Sequence, residues 1–383
     1  MTPISSPPGN RLRLAILIDN LDLGGAQKLL LVQIDAMAAT HDILIVNFGR
    51  ETPLARTLVE AGAEVVSRRL TRLLDIAALG KLRRELTAWR PDMIHSHLLY
   101  AAIVGSVMSR KLGTPHVTTI HNERGEVLGA FNRIKCGLER VALSKGTDVA
   151  IACGPRVAQA QRPRVGRTPL VTVQNRVRPI PRLSSQTRKR RREDLGLEAD
   201  DVVLVAAGRL VKQKGFDLLL DAFAPVAETE AHVVLLLAGD GPERDALAAQ
   251  AARLGSGLRV RMLGTLEDLE PILALSDALV LSSRHEGLPL VLLEALAAGL
   301  PIIATRVGDV ETVVDDNSAL LVEPMQTEAL TRALFQLVND PELRSRLGEG
   351  AQRAGRAQTD VAAFAAELDI VYATARKRHA NRS

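Results

Sequence analysis

Residues 201–241 read DVVLVAAGRLVKQKGFDLLLDAFAPVAETEAHVVLLLAGDG. Two near-continuous apolar runs, VVLVAA and VVLLLA, bracket a stretch whose apolar residues recur at helical spacing. Strands apolar on successive residues are covered on both faces, as in a parallel sheet. The segment therefore reads as strand, helix, strand. The same alternation continues outward. LRVRMLG, ALVLSS and PIIATRV are further strands, separated by PERDALAAQAARLG, LEPILALS and LPLVLLEALAAG as helices. After ALLVEP come three more helical stretches, TEALTRALFQLVND, PELRSRLGEGAQRAG and DVAAFAAELDIVYATARK.

The first half repeats the pattern. RLAILID, DILIVNF, AEVVS, DMIHSH, HVTTIHN, DVAIACG and LVTVQN read as strands, most of them separated by amphipathic helices. Strands alternating with helices predict an α/β fold of two doubly wound, Rossmann-like domains. In such sheets ligands bind beyond the carboxyl ends of the strands, here in a central cleft faced by both domains. RVRPIPRLSSQTRKRRRED interrupts the periodicity with prolines, serines and the basic run Arg188–Arg192. The expected organisation is a first domain over 1–180, a basic linker over 181–195, a second domain over 196–360, and a C-terminal helix over 361–383 packing back on the first domain.

At 383 residues the chain is long enough for two cores. No apolar run reaches the ~18–20 residues of a membrane span, and the N-terminus lacks the pattern of a signal peptide. Two cysteines, Cys136 and Cys153, stand in neither a metal nor a redox spacing, which fits a reducing cytoplasm. The net charge of +5 is unevenly spread: 31 Lys+Arg against 16 Asp+Glu up to residue 195, and 18 against 28 beyond it. A basic half suggests an anionic partner, or simply a solvated surface. Nine aromatic residues (six Phe, two Tyr, one Trp) leave little for bases to stack on, which argues against nucleic acid.

Several residues could carry chemistry. Arg209 and Lys214 fall in the loop between strand and helix, two cations beside a helix N-terminus, where a diphosphate is stabilised; solvated loop cations are the alternative. Gly239-Asp240-Gly241-Pro242 resembles a dinucleotide fingerprint, but the third glycine would fall at Arg244, so it reads as a turn. In SSRHEGLPLVLLEALAAG, residues 282–299, Pro289 suits a first helical turn. Gly287 and Leu288 then offer free N–H groups to an anion. Glu286 is a loop carboxylate just before that turn. Glu294 lies inside a helix that is otherwise apolar all round, where a charge costs several kcal/mol unless partnered by sugar hydroxyls or by an arginine of the same domain. In the first half, Gly24-Gly25, His95-Ser96-His97 and His121-Asn122 follow predicted strands. His95 and His97 look like a metal pair only superficially, with no third ligand near in sequence.

Together LDLGGAQKLLL, DMIHSHLLYA, TTIHN, AAGRLVKQKGFDLLLDAF, LAGDGPERDAL and SSRHEGLPLVLLEALAAGLPIIATRVGDVETV resemble the retaining, nucleotide-sugar-dependent glycosyltransferases of the GT-B fold, family four, over about residues 12–375. The resemblance implies that Glu294 holds the donor ribose, Glu286 contacts the donor sugar, and Arg209 and Lys214 neutralise the diphosphate. His121 is implied as the cleft histidine near the sugar, and Gly24 and Gly25 as a loop over the phosphates. Leu263, Gly287, Leu288 and Pro289 are implied as further donor contacts. Two stretches depart from the family pattern: DDNSALLVEP lacks two usual glycines, and the VGDVETVV loop is short. Neither contains a carried-over residue. The expected activity is transfer of a hexose from a nucleotide-sugar to a lipid-linked or polysaccharide-precursor acceptor in envelope or exopolysaccharide synthesis. No metal and no cofactor are expected, the fixed cations serving the leaving group. Arg68, Arg69, Arg72, Arg83, Arg84, Arg90, Arg133, Lys135 and Arg140 suggest peripheral attachment to the anionic inner membrane surface from the cytoplasm. The rivals are an epimerase of the same fold and a non-catalytic nucleotide-sugar binder.

Overall fold

A computed structural model describes residues 11–22, 24–70, 75–121, 130–255 and 259–382, with the backbone alone for 130–134. The chain divides into two compact units, residues 1–175 with 361–383, and residues 176–360.

The first unit runs β1 (Leu12–Ile18), α1 (Gly25–Met37), β2 (His41–Asn47), α2 (Pro53–Glu60), β3 (Glu64–Ser67), α3 (Ile76–Trp89) and β4 (Met93–His97). It continues α4 (Leu99–Leu112), β5 (His116–Ile120), α5 (Ala130–Lys145), β6 (Val149–Ala152), α6 (Pro155–Val165) and β7 (Leu170–Thr172). The strands form one parallel sheet in the order β3-β2-β1-β4-β5-β6-β7. Strand order reverses between β1 and β4.

The second unit runs α7 (Ser185–Asp194), β8 (Val202–Ala207), α8 (Phe216–Thr229), β9 (Val233–Ala238), α9 (Arg244–Arg253), β10 (Val260–Gly264) and α10 (Glu270–Leu275). Then follow β11 (Ala278–Leu281), α11 (Leu290–Ala298), β12 (Ile302–Thr305), β13 (Ala319–Val322), α12 (Thr327–Asn339) and α13 (Pro341–Gln358). Its parallel sheet has the order β10-β9-β8-β11-β12-β13, reversing between β8 and β11. Every residue of β8 and β9 is buried, as their continuous apolar runs require. The α/β expectation of two doubly wound domains is met.

The last helix, α14 (Val361–Ala380), packs on α1 and on β5 and β6 of the first unit. Residues 181–195, expected as a basic linker, instead contain α7 and lie within the second unit. The reason is electrostatic. Arg188 and Arg192 both reach Asp277 (2.7 and 2.6 Å), and Arg192 also donates to the carbonyls of Leu275 and Asp201. A basic run read as part of a linker is in part an internal anchor.

Candidate active site

In the second unit the loops after β8 and β11, the strands on either side of the reversal, are tied together. Lys212–Lys214 form a single tight helical turn, ended by Gly215 with φ +65°. A Cβ on Gly215 would lie 2.1 Å from the Ser282 carbonyl oxygen, so only glycine allows this approach. Ser282 Oγ donates to the Lys214 carbonyl (3.0 Å) and Arg284 N to that of Gln213 (2.8 Å). The Arg284 guanidinium forks onto Asp217 at 2.7 and 2.8 Å and also donates to the Lys212 carbonyl. Burial pushes the Asp217 carboxyl up, but Arg284 outweighs it and holds Asp217 below its ordinary value.

This clamp delivers Lys214 Nζ to 2.6 Å from Glu286 Oε1, where Ser283 Oγ also donates at 2.6 Å. Glu286 is 8% exposed, a buried carboxylate and not the open loop group its position before a Gly and a Pro suggested. One cation and one hydroxyl make that charge tolerable. Its second oxygen has no partner among the described residues. Arg209 is exposed beside this pair in sequence, and its side chain has no partner among the described residues.

Helix α11 opens at Leu290 with Pro289 as its N-cap. Among the described residues the N–H groups of Gly287 and Leu288 meet no protein acceptor. Their backbone is backed by the loop after β12: Asp309 N donates to the Gly287 carbonyl (2.8 Å), and a Cβ on Gly308 (φ +54°) would lie 2.2 Å from that oxygen. The helix is not buried all round. Leu292, Leu293, Ala295 and Leu296 face the core, while Leu290, Val291, Glu294, Ala297 and Ala298 form a half-exposed stripe at i, i+3, i+4 spacing. Glu294 lies on that stripe, partly open to solvent. Leu263 sits at a register shift between Met262 and Gly264 at the carboxyl end of β10, half-buried. Bulges of this kind re-aim a side chain.

In the first unit the residues gather after β1, β4 and β5. Asp19 follows β1 and accepts from the first amides of α4, Tyr100 N (3.1 Å) and Ala101 N (2.7 Å). Burial raises its carboxyl to about 6 against those two bonds. Gly24 caps α1 and Gly25 begins it. Leu98, between His97 and α4, has φ +74°, an uncommon conformation for a non-glycine residue. His97 Nδ1 lies 3.2 Å from His121 Nε2, with the rings stacked at 5.4 Å. Burial holds His97 well below its ordinary value and lowers His121 to about 4, so both are neutral at pH 7. His97 Nε2 is buried, with no partner among the described residues. His95 is occupied on both ring nitrogens, by Thr119 Oγ1 (2.7 Å) and by Tyr372 O–H (2.9 Å) with Gln33 alongside, and so belongs to the core. Asp19, Arg284 and Ser283 were not singled out from sequence. Arg72, Asn122 and the Arg133 side chain lie outside the described residues.

Comparison with known proteins fits this arrangement. Residues 187–354 match the family described as Glycosyl transferases group 1, and residues 23–179 match Glycosyltransferase Family 4. The chain belongs to the GT-B glycosyltransferases of family four. It is 41% identical over 159 residues to the lipopolysaccharide core biosynthesis glycosyltransferase LpsE of Rhizobium meliloti, covering 41% of this chain and 46% of that one. It is 29% identical over 314 residues to the alpha-D-kanosaminyltransferase of Streptomyces kanamyceticus, covering 76% of this chain and 78% of that one. Anabaena HepE, solved in complex with UDP-glucose, superimposes with a TM-score of 0.83 at 22% identity, over 95% of this chain and all of HepE. Among the described residues no helix is long and apolar enough to cross a membrane.

Proposed function

We propose that this glycosyltransferase moves a sugar from a nucleotide-sugar donor onto a lipid-linked or glycan acceptor in cell-surface glycan synthesis. One observation carries the reading. Lys214, Glu286 and the unpaired N–H groups of Gly287 and Leu288 converge beyond the carboxyl ends of the two strands that flank the sheet's reversal. The cation and the N–H dipoles suit the charge that develops on a departing diphosphate. The free oxygen of Glu286 suits a sugar hydroxyl. In this reading Arg209 joins Lys214 on the diphosphate, Glu294 and Leu263 contact the nucleoside side, and His121 faces the sugar. Transfer proceeds with retention and without a metal. LpsE, named for lipopolysaccharide core synthesis, supports a cell-surface acceptor, and HepE with UDP-glucose supports the donor class. Peripheral attachment to anionic lipid draws support from α5, which exposes Leu138 and Val141 next to Arg140 and Lys145.

The test is a screen of UDP-, GDP- and ADP-sugars, following nucleoside diphosphate release with and without membrane extract. Release from one donor that rises with extract, survives EDTA and drops about a hundredfold in Glu286→Gln or Lys214→Ala is the expected result. Donor bound but never consumed would mean a non-catalytic binder. Donor converted without acceptor would mean an epimerase.

A further inference from the structure

Lys377, Arg378 and Arg382, at the end of α14, line a cavity of about 510 Å3 together with Pro169, Thr374 and Asn381. Pro169 directly precedes β7, and the neighbouring Asp148 directly precedes β6. The cavity thus lies at the amino edge of the first unit's sheet. Asp19, His97 and His121 are at the opposite, carboxyl edge.

Among the described residues no acidic one lines the cavity. The adjacent carboxylate, Asp148, is already occupied by His116 N (3.0 Å), His379 Nδ1 (2.9 Å) and Arg382 Nη1 (3.3 Å). Arg382 Nη2 and Arg110 Nη2 both donate to the Lys145 carbonyl, which brings two guanidinium groups within two hydrogen-bond lengths of each other. Arg378 Nη2 donates to the Arg167 carbonyl, while its Nε, shut off from water, has no acceptor among the described residues. Cations at helix C-termini complement the helix dipole, which accounts for the guanidinium groups that reach carbonyls. It does not account for Lys377 Nζ and Arg378 Nη1, which belong to side chains that line the cavity and have no acceptor among the described residues.

We propose that this cavity binds a phosphate-class anion. A tetrahedral phosphate offers acceptor atoms in several directions to donors arriving from side chains at different heights of one helix, whereas a carboxylate offers two oxygens in one plane. The phosphate comes either from a soluble phosphate compound or from the headgroup of an anionic lipid. The site is separate from the one proposed for the sugar donor and stands without it.

Two assays on the full chain distinguish the sources, both in a background carrying Lys214→Ala and Arg209→Ala, so that neither cation of the proposed donor site contributes. Calorimetry reads pyrophosphate binding, and co-sedimentation reads binding to phosphatidylcholine vesicles containing phosphatidic acid. The variants are Lys377→Glu, on an exposed side chain that leaves folding untouched, and Arg378→Gln. Lys189→Glu, on the exposed face of α7, controls for charge alone. Pyrophosphate binding that weakens at least about tenfold in both pocket variants, and not in the control, supports the site with a soluble source. Vesicle binding lost in the same pattern, with no pyrophosphate binding, supports it with a lipid source. Binding unchanged by Lys377→Glu in both assays, or weakened equally by Lys189→Glu, overturns the proposal.

Discussion

Glu286 stays charged in a buried position by giving one oxygen to Lys214 and Ser283. Removing Lys214 alone leaves that carboxylate with a hydroxyl only, a loss on the order of 3 kcal/mol in stability. Lys214→Met combined with Glu286→Gln removes both charges together. Urea denaturation of this double variant is expected to show most of the stability restored, with turnover still about a hundredfold down. Recovery of activity along with stability would show that the pair is structural only. Asp19 makes a second residue-level prediction. Its folded value, about 6, lies above its ordinary 3.8 because burial outweighs two amide bonds. The folded state therefore holds the proton more tightly. Its contribution to stability is complete below about pH 4, declines as pH rises towards 6, and is gone above that, by up to ~3 kcal/mol. The stability of the wild type relative to Asp19→Asn should fall over that window and level off beyond it. A flat difference would contradict the assignment. Lys214, Glu286 and Gly287 could be picked out of the sequence because they cluster within short loops beside recognisable strands. Asp19 could not, since the amides that define it are some eighty residues away. The His97–His121 pairing was hidden for the same reason.

At the scale of elements, the turn before α8 is shaped by what it packs against. With φ +65° and the Ser282 carbonyl 2.1 Å from any added Cβ, Gly215→Ala must push the turn away from the loop after β11. A loss of roughly 2 kcal/mol or more in stability is expected, with turnover falling further than stability alone explains, because Lys214 moves off Glu286. Denaturation and kinetics on the same preparation check both; retained turnover would mean that the clamp does not position Lys214. Elements with continuous apolar runs or a clear helical period were legible in the sequence. Helix α6 was not. PRVAQAQRPRV offers only Val157, Gln161 and Val165 to the interior and carries Pro163 inside it, so its signal depends on a neighbour to pack against. The turn at 315–318 lacks the glycines usual in the family and is held by side chains. Asp315 accepts from Asn317 N, Asn317 Nδ2 and Ser318 Oγ, and the Asn317 bond draws its carboxyl below the ordinary value.

For the whole molecule, the course of the last helix has the largest consequence. Phe364, Leu368, Val371, Tyr372 and Ala375 belong to the core that α1 and β1 build, and none joins the core around β8 and β9. Tyr372 adds a buried polar link, its O–H lying 2.9 Å from both Gln33 Nε2 and His95 Nδ1. Four large side chains at about 1.5–3 kcal/mol each contribute on the order of 10 kcal/mol. That equals the entire stability of a typical domain. A chain ending at residue 360 is therefore expected to lose the first unit while the second, residues 176–360, keeps its own core. Thermal denaturation should show one transition removed and one retained. Limited proteolysis with mass analysis should leave a protected fragment that starts near Arg176. Tyr372→Phe, which keeps the packing and strips the link, should lower only the first unit's transition, by about 1–2 kcal/mol. If the full chain melted in one step, or the truncated chain lost its second unit as well, the two units would be a single cooperative body, and the last helix would stabilise more than the unit it packs on.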